Sequence, residues 1–241
     1  MNLGLVKYNL YSYNSSGKYV LPLIIYGAWI AMAYSIHPVE MLESLGFSAL
    51  LNFVCMLVMG VSFTNHKSPM IEMSFLVRLS DKKHLYTSRL VCLFLYSLIL
   101  STIGVLAPMI NHTVHGFTLF NRPVAFSEVV ICFAVMLVAS LCGAAGGTLF
   151  NSRIFKNDTV MILSSVLWAM ISVFRAPMME SLGIFRFLLW LFPPIHELAR
   201  SIIDTEFFVL TNTLLYLGLT IIYTIIFIVG YINVLLKLKV E

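Results

Sequence analysis

Residues Leu90–Ile110 read LVCLFLYSLILSTIGVLAPMI, 21 residues without a charge. At 1.5 Å per helical residue this stretch reaches about 32 Å, enough to cross a hydrocarbon core of ~30 Å. Unpaired backbone groups in lipid cost several kcal/mol each, so a crossing segment of this kind must be helical. Working outward, five further stretches have the same character: Tyr19–Ile36, Leu45–Phe63, Val129–Phe150, Val160–Phe174 and Thr211–Leu236. Val160–Phe174 is short and would borrow Asn157–Thr159 or Arg175–Pro177 at its ends. The chain is 60% hydrophobic and only 11% charged, which leaves too little polar surface for a soluble domain. The sequence predicts an all-α membrane protein with six transmembrane helices.

The basic residues assign an orientation. Lys7, Lys18, Lys67, Arg78, Lys82, Lys83, Arg89, Arg153, Lys156, Lys237 and Lys239 fall on one side of the six spans. Arg122, Arg175, Arg186 and Arg200 fall on the other. The positive-inside rule makes the first side cytoplasmic and puts both termini there. Glu40, Glu43, Glu128, Glu180, Glu197, Asp204 and Glu206 lean outward. The net charge of +4 reflects this asymmetry and gives no reason to expect nucleic acid.

The connectors leave no room for a catalytic or nucleotide-binding module, so residues 1–241 form one transmembrane domain. Ala31-Met32-Ala33 imitates a signal-cleavage site, but the apolar run is long and its leader extended, so no cleavage is expected. Cys55, Cys92, Cys132 and Cys142 all lie inside spans with no CxxC pair, and read as small hydrophobes. In Met1–Tyr13, Leu3, Val6, Leu10 and Tyr13 recur at near-helical spacing, with Asn2, Lys7, Asn9 and Asn14 between them. This is the pattern of an interfacial helix, with Ser15-Ser16-Gly17 turning the chain into the membrane.

Two connectors carry structure of their own. In Thr64–Arg89, Ser68-Pro69 is a helix start and Glu72 falls in the first turn. Ile71, Phe75 and Leu79 share a face, and the helix is either a docking surface or a segment dipping into the headgroups. On the outside, Ile184–Phe192 is apolar but too short to cross. Pro193-Pro194 stops it, and Ile195–Ile203 resumes with His196, Glu197 and Arg200. That order describes either a re-entrant hairpin packed on protein or a surface helix at the outer interface.

Several chemistries lack their residues. The spans contain no mid-membrane acid or histidine, so proton or sodium coupling is not expected. Ser140–Gly147 has no Gly-x-Ser-Gly turn, and His196-Glu197 is followed by Leu-Ala-Arg rather than the second histidine of a zinc protease. No G-x-x-x-x-G-K-[ST] is present, so no nucleotide site is expected on the chain. No metal is expected, and His37, His112 and His115 read as solvated loop residues. Ala139, Gly143 and Gly147 have helix-contact spacing, for packing inside the bundle or at a dimer seam. Asn52, Ser97, Ser101, Thr102, Ser164, Ser165 and Thr224 either line a path or bond neighbouring helices.

Taken in order, these pieces resemble the permease subunit of a type-2 ATP-binding-cassette exporter, over essentially the whole chain. Glu72–Leu90, EMSFLVRLSDKKHLYTSRL, is similar to that family's coupling segment, except that Val77-Arg78-Leu79 replaces the more usual proline-containing turn. Leu191–Leu198, LFPPIHEL, resembles the re-entrant helices before its last span. The resemblance implies an ATPase subunit gripping Glu72, Phe75, Leu76, Arg78, Leu79, Asp81, Lys82 and Lys83. Arg153, Phe155 and Lys156 would make a second cytoplasmic contact. ATP and Mg would bind on the partner, and none on this chain. A second permease, identical or a sibling, would complete the transporter in a bacterial plasma membrane. Small members export bacteriocins, toxins, amphipathic peptides or drugs, and the amphipathic-toxin exporters of staphylococci are a candidate group. Substrate would leave between the halves, along spans one, two and five. The alternative class is a stand-alone membrane immunity or binding protein, or an ion-independent carrier, without an ATPase.

Overall fold

The computed structural model describes residues 3–36, 38–66, 82–181, 183–203 and 210–237. Its elements, in order, are α1 (Leu3–Ser16), α2 (Val20–Ala33), α3 (Met41–Thr64), α4 (Lys83–Val114) and α5 (Phe126–Leu149). They continue with α6 (Asp158–Val173), α7 (Arg175–Ser181), a 3-10 segment Gly183–Leu191, α8 (Ile195–Ile203) and α9 (Leu210–Lys237). An isolated bridge between Val39 and Phe120 is the extended pairing among the described residues. Four helices, α3, α4, α5 and α9, are long and apolar enough to cross a membrane. The pair α1 and α2, bent by 73°, becomes a fifth if taken as one broken span, and α6 is a shorter apolar helix.

Several boundaries differ from the sequence reading, each for a local reason. The turn expected at Ser15-Ser16-Gly17 falls instead on Gly17, Lys18 and Tyr19, opening at Gly17 with φ 66°. Both serines stay helical because their hydroxyls donate back to the Ser12 and Tyr13 carbonyls, at 3.0 and 2.7 Å. α2 stops at Ala33, short of the expected Ile36, where the Tyr34 amide still donates to the Ile30 carbonyl. Its 14 residues rise only about 21 Å. α4 extends beyond Leu90–Ile110 at both ends, and tolerates Pro108 near its C-terminus. α6 begins at Asp158 because Asn157 caps it, accepting the Thr159 amide at 2.9 Å.

The centre of the bundle is the α3–α5 pair. A Cβ on Gly143 would fall on the Phe53 carbonyl, and one on Gly147 on the Leu57 carbonyl. From the other side, a Cβ on Gly60 would lie 2.5 Å from the Ala144 carbonyl. The two backbones are therefore in contact, a geometry in which dispersion packing, rather than expulsion of water, joins helices in lipid. Ala139, Gly143 and Gly147 all face inward at this seam and are buried. Around it, Asn52 donates to Ser101 Oγ at 3.1 Å, and Ser101 lies 3.3 Å from Ser140 Oγ. These polar span residues bond neighbouring helices in the interior. Trp168 of α6 lies on Gly146, where a Cβ would displace its ring.

Candidate functional site

The end of the bundle that carries Lys7, Lys18, Lys82, Lys83, Arg153, Lys156 and Lys237 is organised around α1. Asn9 is fully buried and its amide donates to Ser88 Oγ at 2.8 Å. Tyr13 is also fully buried, its hydroxyl 2.6 Å from Ser62 Oγ. Ser12 Oγ lies 3.2 Å from His66 Nε2, and the Tyr96 hydroxyl donates to Asn14. Ser62 and His66 belong to the end of α3 and the residues just beyond it; Ser88 belongs to the second turn of α4, and Tyr96 lies about two turns further along the same helix. α1 is thus bonded to both stems of the connector between those helices. Burial pushes the Tyr13 hydroxyl up to about 12, with the bond to Ser62 acting weakly the other way.

Asn65 closes the same end. Its amide donates to the Val61 and Phe150 carbonyls at 2.8 and 2.9 Å, while its oxygen accepts the Ser152 amide at 2.8 Å. Arg153 Nη1 donates to the Tyr86 hydroxyl at 2.8 Å, and Phe155 stacks on Phe150 with centroids 5.8 Å apart. Lys156, Lys82 and Lys83 are exposed. The expected coupling residues Glu72, Phe75, Leu76, Arg78, Leu79 and Asp81 lie outside the described residues, as do Met1, Asn2 and His37.

Between the α1–α2 turn, α3 and α6 this end opens into a groove of about 590 Å³. Val58, Val61, Met161, Ile162 and Val166 form its apolar length, and Ser62, Asn65, Ser152 and Ser165 its polar wall. Lys18 and Asp158 stand at its margin.

At the opposite end α8 is built into the bundle, whereas the 3-10 segment buries Leu189 and leaves Phe187, Leu188, Trp190 and Leu191 exposed. Pro193, Pro194, Ile195, Leu198, Ala199 and Ile202 are buried. α8 approaches α3 so closely that a Cβ on Gly46 would lie 2.5 Å from Ile203 Cγ1. Arg175 Nη1 pairs with Glu197 Oε1 at 3.0 Å, and Arg175 Nε donates to the Leu189 carbonyl at 3.0 Å. His196 Nδ1 lies 2.8 Å from the Val173 carbonyl. The proline break is thus tied to the start of α7 by a nearly buried ion pair and to the end of α6 by His196. In the neighbouring loop, Arg122 pairs with Glu128 at 2.9 Å. His112, read from sequence as solvated, is only 6% exposed and packs against Phe117 and Phe120.

The sequence singles out Pro193, Pro194, His196 and Glu197 but gives no sign of Arg175 as the partner, 22 positions before Glu197. By pattern, Asn9 falls on the polar side of α1. The buried face is instead Leu5, Val6, Asn9 and Tyr13, while Leu3 is 73% exposed. Steps of four from Leu5 do reach Asn9 and Tyr13. Nothing local marks an asparagine as part of that face, because the hydroxyl that satisfies it is 79 residues away. All four cysteines are buried and none forms a disulfide among the described residues.

The fold and both ends define a class: a multi-pass, helical membrane protein with a separately bonded first helix and a folded-back segment at the opposite end. Compared with known proteins, the chain matches no family model, no curated protein and no solved structure.

Proposed function

We propose that this chain is the transmembrane permease subunit of an ATP-driven exporter of the ATP-binding-cassette type. It moves an amphipathic peptide or hydrophobic small molecule out of a bacterial cell. In this reading α2, α3, α4, α5, α6 and α9 are the six spans, with α6 and α2 completed by their flanking residues. The basic end is cytoplasmic and the α8 end is outside.

The observation that carries the proposal is the attachment of α1. Asn9, Ser12 and Tyr13 bond to both stems of the 67–81 connector, and Asn14 to Tyr96 further along α4. A partner that grips that connector therefore pulls on α1 and, through Gly17, on the first span. A stand-alone binding protein has no need of such a lever. The buried ion pair at Arg175 supports the reading by holding an outer hairpin across the exit. Six spans make half a transporter, so a second permease, identical or a sibling, completes the path along spans one, two and five.

ATP and Mg bind on the partner ATPase, which grips Phe75, Leu76 and Leu79, with Glu72, Arg78, Asp81, Lys82 and Lys83 around them. Arg153, Phe155 and Lys156 form a second contact beside it. The test is a pull-down of the Phe75→Asp/Leu79→Asp variant. It should insert into membranes at the wild-type level yet lose its ATPase. Wild-type yield of ATPase from that variant refutes the assignment of the segment.

A further inference from the structure

The groove between the α1–α2 turn, α3 and α6 has a recognition pattern that the transport reading does not use. Its polar wall is already satisfied, apart from the exposed Ser152 hydroxyl. Ser62 Oγ engages Tyr13 and the Met59 carbonyl, and Ser165 donates to the Ile162 carbonyl. Asn65 spends both ends of its amide on the Val61 and Phe150 carbonyls and the Ser152 amide. What the groove still offers is apolar length and two opposite charges. The Lys18 ammonium and the Asp158 carboxylate line the same groove, both on exposed residues, and do not pair with each other. They come from different elements, the turn into α2 and the first turn of α6.

We infer that this groove binds one zwitterionic phospholipid from the adjacent leaflet. The phosphate lies on Lys18, the headgroup ammonium on Asp158, and an acyl chain runs along Val58, Val61, Ile162 and Val166. An anionic headgroup would satisfy Lys18 but set a negative charge against Asp158, so the pair of charges selects for both signs together. The groove's own Ile162 and Val166 are half exposed, so its apolar length is open on one side, which faces lipid in this reading. Leu21 and Ile24 of α2 and Leu163 of α6 are each more than 60% exposed. A peptide helix fits less well. At a diameter of about 10–12 Å, a helix would place roughly one turn in a space of 590 Å³. Apart from the exposed Ser152 hydroxyl, the polar wall has no free group to bond its remaining side chains. The inference stands apart from the exporter reading, since a carrier or an immunity protein with this groove would hold the same lipid.

The test is native mass spectrometry of the full chain released from nanodiscs containing phosphatidylethanolamine and phosphatidylglycerol in equal amounts. Wild type should retain phosphatidylethanolamine over phosphatidylglycerol by roughly twofold to fivefold, the range expected of the one solvent-touching ion pair, headgroup ammonium on Asp158, that only the first lipid makes. Lys18→Ala and Asp158→Asn remove exposed charges without a partner to orphan, so both should fold and melt as wild type does. Asp158→Asn should remove most of the preference, whereas Lys18→Ala, whose phosphate contact both lipids share, should lower the retention of both by roughly twofold to fivefold and leave their ratio unchanged. Equal or reversed retention of the two lipids by wild type overturns the inference, as does an unchanged preference in Asp158→Asn or undiminished retention of both lipids by Lys18→Ala. A third arm adds an amphipathic peptide carrying both charges; its retention in place of the lipid would reassign the groove to peptide.

Discussion

Arg175→Met tests how the α8 end is held. The Arg175 side chain is 7% exposed and that of Glu197 15%, with 3.0 Å between Nη1 and Oε1. Glu197 Oε2 is buried and already lacks a hydrogen bond. Removing the guanidinium therefore leaves a nearly buried carboxylate without its counter-charge, and frees the Leu189 carbonyl as well. Breaking a buried pair from one side costs about 3–5 kcal/mol. Glu197→Gln should cost less, about 1–3 kcal/mol, because Arg175 keeps Leu189 and gains an amide oxygen as acceptor. The double variant has no stranded charge, so it should recover about 2 kcal/mol relative to Arg175→Met alone. The assay is denaturant unfolding in mild detergent, completing the double-mutant cycle. If Glu197→Gln simply adds its own loss to that of Arg175→Met, the two residues are uncoupled and the account of this end fails.

Two further outcomes follow from the packing. Gly143→Ala drives a methyl onto the Phe53 carbonyl and should cost about 1–3 kcal/mol. Gly27→Ala meets nothing within 4 Å and should be neutral or stabilising by up to about 1 kcal/mol. Equal melting temperatures for the two would contradict the contact at the α3–α5 seam. The Tyr13 hydroxyl is held up to about 12 by burial against an ordinary value of 10.0. Its contribution is complete below the ordinary value and is lost as pH rises towards the raised one, about 3 kcal/mol in all. Protection of the α1 amides, relative to the intrinsic base-catalysed exchange rate, should therefore fall over that window in wild type, and Tyr13→Phe should remove the fall.

The long helices were legible because lipid permits so few alternatives. A run such as Leu90–Ile110 has no charge to place and no other way to pair its backbone. The inward face of Ala139, Gly143 and Gly147 was legible as a contact, though spacing left its partner open. What the sequence hid was every bond between distant residues. Asn9 looks like a polar position on an interfacial helix until Ser88 is brought beside it. Glu197 looks like a surface acid on α8, and Arg175 like the end of a span, until the proline break folds one onto the other. His112 looks solvated because nothing local announces that Phe117 and Phe120 enclose it. The bend falls at Gly17, after both serines, because serine hydroxyls can bond back within a helix as well as cap one.

The exporter reading is tested most directly by what the tagged wild-type chain carries out of the membrane in mild detergent, identified by mass spectrometry. The account predicts a stoichiometric cassette ATPase together with a second permease, identical or sibling. A chain that emerges alone, and stays alone after gentle crosslinking in the intact membrane, contradicts it.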